Sequence, residues 1–209
     1  MQSQADKSGE TQRRVVEAAV KCLHTRGYGA VSTELVLIEA GVSRGALLHQ
    51  FPTRTDLMLA VVKAVFDEEE RLYAERLAQT DDPLERLLAL PELVFEMSSR
   101  PGGIAVIEIL LASRSDPALS EALGPLQANL TRDLGARAQQ SVRDAGLPIT
   151  TEGPLIRRML IAAARGLAVD MIFSQDRESV LETARFLRTT LERHFAAEIA
   201  QAKARAGEP

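Results

Sequence analysis

One cysteine, no tryptophan, two tyrosines and six phenylalanines are all that 209 residues hold of these four types. The single cysteine, Cys22, excludes an intramolecular disulfide and fits a reducing compartment. It falls on the apolar face of the first helix and reads as core rather than as a redox switch. The three histidines, His24, His49 and His194, stand too far apart for metal-ligand spacing. No glycine-rich phosphate loop is present either, so neither a metal nor a cofactor is expected. A long apolar run is also missing. The most apolar stretch, Leu155 to Phe173, is interrupted by Arg157, Arg158, Arg165 and Asp170, whereas a membrane span needs about 20 mostly apolar residues. Residues 1–10 are polar and lack the apolar core of a signal peptide. These absences lead to the expectation of a soluble, cytoplasmic protein with no membrane partner.

What is present is helical. Apolar residues make up 45% and charged residues 26% of the chain, ordinary values for a globular protein. Strand-like alternation is rare, and apolar residues recur at helical spacing nearly throughout. After a polar segment over residues 1–10, read as a disordered arm, a helix is expected from Thr11 to Arg26. It carries Val15, Ala19, Cys22 and Leu23 on one face and stops at Gly27. Two short helices follow, Thr33–Ala40 and Arg44–Gln50, with Ser32 and Ser43 in the N-cap positions. Pro52 breaks the chain, and Thr53-Arg54-Thr55-Asp56 reads as a capping box that opens a long helix to about Gln79. Five further helices complete an all-α chain of about nine helices. One of them, from Pro117 to about Ala145, carries a possible kink at Gly124-Pro125.

Charge is unevenly spread. The net charge is −4, yet residues 1–56 contain seven Lys/Arg against six Asp/Glu, which leaves −5 for the rest. No acidic residue occurs between Ala40 and Thr55, while Arg44, His49 and Arg54 do. A small acid-free patch on an acidic body suits a short DNA-contacting element, though chance clustering explains it equally well.

Three short helices in the first fifty residues, the second and third joined by Gly41-Val42, describe a helix-turn-helix. Gly41 can take the turn conformation without Cβ strain, and Val42 can plug the small core between the helices. The second helix of the pair then presents its N-terminal residues to the major groove. Those residues are Ser43, Arg44 and Gly45, followed by Leu48 and His49. Gly45 would let the backbone come close to a phosphate or base, and Arg44 offers a fork to guanine or phosphate.

Residues 11–66 resemble the DNA-binding region of the TetR family of transcriptional regulators. Ala40-Gly41-Val42-Ser43-Arg44-Gly45, Leu47, His49, Phe51-Pro52 and Leu57 carry the resemblance, with Arg165-Gly166-Leu167 as a weaker element further on. The resemblance implies an N-terminal three-helix DNA-binding domain (11–52) and a larger six-helix effector-binding and dimerisation domain (53–205). It implies a homodimer on a near-palindromic operator in double-stranded DNA, acting as a repressor released by a small-molecule effector. By position it adds Ser32, Thr33, Thr53 and Arg54 to the DNA contacts, at helix starts that favour anions; each could also be a plain cap.

The dimer interface is expected on the last two helices, with Leu160, Ala164, Leu167 and Met171 as one stripe and Val180, Ala184, Leu187, Leu191 and Phe195 as another. The alternative is that these stripes face the subunit's own core. Candidate walls of the effector pocket are Phe66, Phe95, Ile107, Leu110 and Leu134, with Arg114 or Arg165 as polar anchors. The chain departs from the family pattern at Leu48, where many relatives have a phosphate-binding tyrosine, and at Gln50, Leu37 and Glu34. Near phosphate, Glu34 would repel.

Two readings of other classes were weighed. Gly41-Val42-Ser43-Arg44-Gly45 matches the G-x-S-x-G nucleophile elbow, but that motif needs a β-sheet to hold it, and the chain offers none. No catalytic residue is therefore expected. The other is a helical interaction protein that has lost DNA binding, which the departures at Leu48 and Glu34 would suit.

Overall fold

The computed structural model describes residues 4–200, with side chains from residue 8 onward. Among the described residues there is no strand. The elements are α1 (Gln4–Arg26), a 3-10 turn (Tyr28–Ala30), α2 (Thr33–Ala40), α3 (Arg44–Gln50), α4 (Arg54–Leu77), α5 (Pro83–Ser99), α6 (Pro101–Ala112), α7 (Pro117–Asp144), α8 (Gly153–Phe173) and α9 (Arg177–His194). The all-α architecture of three N-terminal helices followed by six holds. None of these helices is long and apolar enough to cross a membrane. The chain forms two compact units, and neither is one continuous stretch. The first joins the residues up to Glu70 with Arg100–Ala128; the second joins Arg71–Ser99 with the chain from Asn129 onward. Residues 201–205, assigned from sequence to the effector domain, lie outside the described residues.

The first unit is built around α1, which packs on α2, α3 and α6. Its apolar face is the one its spacing indicates: Val15, Ala19, Cys22 and Leu23 are buried. Burial pushes the Cys22 thiol above its ordinary pKa, so thiolate chemistry is suppressed there. The disordered arm expected over residues 1–10 is not what the chain forms from Gln4 on. Residues 1–3 lie outside the described residues, but α1 already runs from Gln4. The added turns carry helix-stabilising pairs, since Arg13 reaches Glu10 and Glu17 at 2.6 Å each, at i−3 and i+4. In addition, Gln50 Nε2 donates to Ser8 Oγ at 2.6 Å.

The turn between α2 and α3 is fixed from both sides. Ser32 Oγ caps α2 by accepting from Leu35 N–H at 3.2 Å, and Ser43 Oγ caps α3 by accepting from Ala46 N–H at 3.2 Å. Gly41 ends α2 in the left-handed region, φ 61° and ψ 42°. Helix ends leave carbonyls without intrahelical partners, and Arg14 supplies one here: its Nη2 donates to Ala40 O at 2.6 Å and Gly41 O at 3.1 Å.

The second unit packs α5, α8 and α9 against one another. Its core is aliphatic with two phenylalanines, Phe95 and Phe195, beside Leu88, Leu160, Ala164 and Leu187. Arg188 of α9 bonds Glu85 of α5 at 2.7 Å and Glu192 of its own helix at 2.9 Å. Both α5 and α7 continue through an internal proline, Pro91 and Pro125, so α7 runs on past Gly124-Pro125 as one helix.

Gly41→Ala places a Cβ in left-handed backbone and 3.2 Å from Arg14 Nη2. A non-glycine residue in that region costs about 1–2 kcal/mol. Urea denaturation should therefore show a lower midpoint by that amount with an unchanged slope.

Candidate nucleic-acid interface

The sequence-predicted residues of the recognition helix share one exposed face. Ser43, Arg44, Gly45, Leu48 and His49 are all exposed, while Leu47 is buried and anchors α3 to the unit. Positions 44, 45, 48 and 49 lie on one side of a helix and 47 on the other. No atom lies within 4 Å of a Cβ built on Gly45, so the backbone there is open to close approach. Arg44 is 77% exposed and pairs with Glu34 of α2 at 3.4 Å. This is a weak contact at the surface, but it places a carboxylate beside the side chain best suited to guanine or phosphate.

The helix starts are less open to an anion. Ser32 is exposed with its oxygen already accepting a cap bond, and Thr33 is half-buried. At α4 the capping box forms in full: Thr53 Oγ1 accepts from Asp56 N–H at 3.1 Å, and Asp56 Oδ2 accepts from Thr53 N–H at 2.9 Å and from its hydroxyl at 2.7 Å. The Asp56 carboxylate thus occupies this N-terminus. Arg54, which the sequence reading places at a phosphate, is engaged within the protein. Its side chain is half-buried, with Nη2 donating to Tyr28 O at 2.8 Å and the guanidinium carbon 3.9 Å from the Tyr28 ring centroid. Sequence spacing could not show this, because the stacking partner stands 26 residues earlier.

The second unit encloses a cavity of about 230 Å³. Its walls are mostly aliphatic, from Leu77 of α4, Leu87, Leu90 and Val94 of α5, Leu134 and Val142 of α7, and Ile156 and Ile161 of α8. Tyr73, Arg137, Ser141, Arg157 and His194 supply the polar groups, and no carboxylate lines it. Of the sequence-predicted pocket residues only Leu134 is on this wall. Phe66, Ile107, Leu110 and Arg114 belong to the first unit. Phe95 is in the core of the second, and Arg165 does not line the cavity. The lining is made largely by aliphatic residues that periodicity cannot tell from core.

The expected dimer stripes face the subunit's own core, the alternative stated for them. Leu160, Ala164, Val180, Ala184, Leu187, Leu191 and Phe195 are buried within the unit, and Leu167 and Met171 pack against the same core. The exposed apolar residues lie on another side: Leu155, Met159, Ile172 and Phe173 on α8, and Phe186 on α9, each 47–67% exposed. Helix α8 is apolar on two faces, and the periodicity picked out the inward one.

Residues 15–61, which contain α2 and α3, match the family model described as bacterial regulatory proteins, tetR family. The chain is 28% identical over 200 residues to the HTH-type transcriptional regulator CymR of Pseudomonas putida, covering 88% of this chain and 93% of that one. The chain thus carries a helix-turn-helix segment of the TetR type over residues 15–61 and is similar along most of its length to a transcriptional regulator. Solved structures show the same fold. A transcriptional regulator from Rhodococcus sp. Rha1 superposes with a TM-score of 0.69 at 20% identity, over 88% of this chain and 96% of that one. The regulator FadR from Bacillus subtilis, in complex with stearoyl-CoA, gives 0.64 at 14% identity, over 86% and 96%.

The residues that sequence reasoning missed surround Tyr28. Its N–H donates to Glu108 Oε2 at 2.8 Å and its hydroxyl to Asp116 Oδ2 at 3.2 Å. Burial raises its pKa further than Arg54 lowers it. The only sequence signal was the rarity of tyrosine. For the DNA-reading face, Glu34→Gln removes the carboxylate beside Arg44. DNA affinity should rise several-fold, and the slope of log affinity against log salt should steepen by about one unit; filter binding across a salt series measures both.

Proposed function

We propose that this protein is a TetR-family regulator, a homodimeric repressor that binds a near-palindromic operator and leaves it when a small molecule occupies the cavity of the second unit. The observation that carries the DNA half is the exposed face of α3, with Arg44 and Gly45 at its N-terminal end, Leu48 and His49 further along it, and no acidic residue on the helix. In this reading residues 11–52 read DNA, 53–205 sense and dimerise, and the protein acts in the cytoplasm on double-stranded DNA. Ser43, Arg44, Gly45, Leu48 and His49 make the contacts, with Ser32, Thr33 and Thr53 at the flanking phosphates. Leu48 meets a thymine methyl in place of a phosphate-bonding hydroxyl.

Dimerisation follows from the exposed apolar side of α8. One helix-turn-helix reads few bases, so two copies related by a two-fold axis read two half-sites. Leu155, Met159 and Phe173, with the exposed small residues Ala162 and Gly166 between them, form a stripe at helical spacing suited to packing on its own copy. The effector half rests on the cavity and on α4. This one helix carries Tyr73 and Leu77 of the cavity wall and, at its other end, Arg54 bound to Tyr28. A FadR structure that holds stearoyl-CoA supports small-molecule sensing on this fold. Coupling of about 1–3 kcal/mol is enough to change operator affinity 5–150-fold.

Selection of random duplex DNA by the purified protein at fixed salt tests the first half. Enrichment of a near-palindrome is expected, with Arg44→Ala weakening binding about tenfold or more. No enrichment from a folded dimer would replace this reading with the helical interaction protein. Charge on the α8 face tests the second: Met159→Glu with Phe173→Glu should yield a folded monomer by sedimentation, whereas an unchanged dimer would place the interface elsewhere.

A further inference from the structure

The cavity in the second unit specifies its occupant more narrowly than a small molecule, and this step rests on the effector reading above. We infer that it takes a small apolar monocarboxylate, with the hydrocarbon body among the leucines and the carboxylate at Arg157.

Volume sets the size. A cavity lined by aliphatic and aromatic side chains needs about 150 Å³ to hold benzene, so about 230 Å³ holds one ring, or a short chain, with a small substituent. The walls set the character. Leu90, Val94, Leu134 and Ile161 offer no hydrogen bond, so a polar body would lose its water without replacement.

Charge sets the end group. Two guanidinium side chains line the cavity, Arg137 from α7 and Arg157 from α8, and no Asp or Glu is among its lining residues; Arg137 is engaged within the protein, which leaves Arg157 for a ligand. Arg157 is half-buried, and its Nη2 lies 3.6 Å from a Cβ built on Gly135 of α7. It makes no hydrogen bond or ion pair within the protein among the described residues. A smaller adjoining cavity of about 100 Å³ also has Arg157 in its wall, which puts this side chain where the two share residues. A guanidinium matches a carboxylate with two parallel hydrogen bonds, and arginine stays charged at any pH the protein meets. A cationic ligand would meet the unpaired Arg157 charge, and a neutral one would leave Arg157 half-desolvated and unpaired. The His194 ring is on the same wall, with Nδ1 3.8 Å from Glu152 Oε2 and Nε2 buried without a partner.

Calorimetric titration of the full-length protein with cyclohexanecarboxylate and octanoate, each against its carboxamide, tests the inference. The acids should bind at least tenfold tighter than the amides. Arg157→Gln should weaken the acids about 10- to 100-fold and leave the amides unchanged, with an unaltered melting temperature. Equal binding of acid and amide by the wild-type protein overturns the carboxylate assignment while the effector reading stands. Charge-dependent binding with no loss of operator affinity supports the assignment and overturns effector release. No binding by either series overturns both.

Discussion

The first unit depends on a single residue having all of its polar groups engaged. Tyr28 gives its N–H to Glu108 of α6, its carbonyl to Arg54 of α4 and its hydroxyl to Asp116 before α7, while its ring lies under the Arg54 guanidinium. Three segments distant in sequence thus meet on the link between α1 and α2. Hydrogen bonds to charged partners are worth about 1.5–3 kcal/mol each, and their direction matters more than their sum. They fix the chain where it enters the helix-turn-helix by tying the link between α1 and α2 to α4 and α6. Arg54 Nε is buried without a partner, a cost the remaining contacts of the same side chain offset.

Local chemistry was the legible part of the sequence. Ser32, Ser43 and the Thr53–Asp56 box cap the helices they were expected to cap, because a cap is decided within four residues. The buried face of α1 and the exposed face of α3 were legible for a related reason: each has one apolar side. Where a helix is apolar on two sides, periodicity does not say which side is inward. That is why Leu160, Ala164 and Leu187 read as an interface although they belong to the subunit's own core. Long-range polar contacts were not legible at all. Nothing near Arg54 in sequence indicates that it turns inward to Tyr28.

The contrast between the two polar sites of the chain is instructive. On the α3 face the arginine is exposed and already beside a carboxylate, so its interaction with an incoming phosphate is a competition in high dielectric. At the cavity the arginine is half-buried with aliphatic neighbours and no carboxylate on the wall, so an incoming anion meets less screening. The same residue type therefore stands in a screened setting in one place and a less screened one in the other.

The units are interleaved along the chain, with α6 and the first part of α7 completing the body that holds the helix-turn-helix. A reading head of this construction is not a cassette. Cutting after residue 52 would strip α1 of α6 and would leave Tyr28 without Glu108 and Asp116. Recombination that exchanges DNA specificity between such chains must therefore carry α6 along or recreate its contact surface. That requirement links drift in the body of the protein to the identity of the operator it can read.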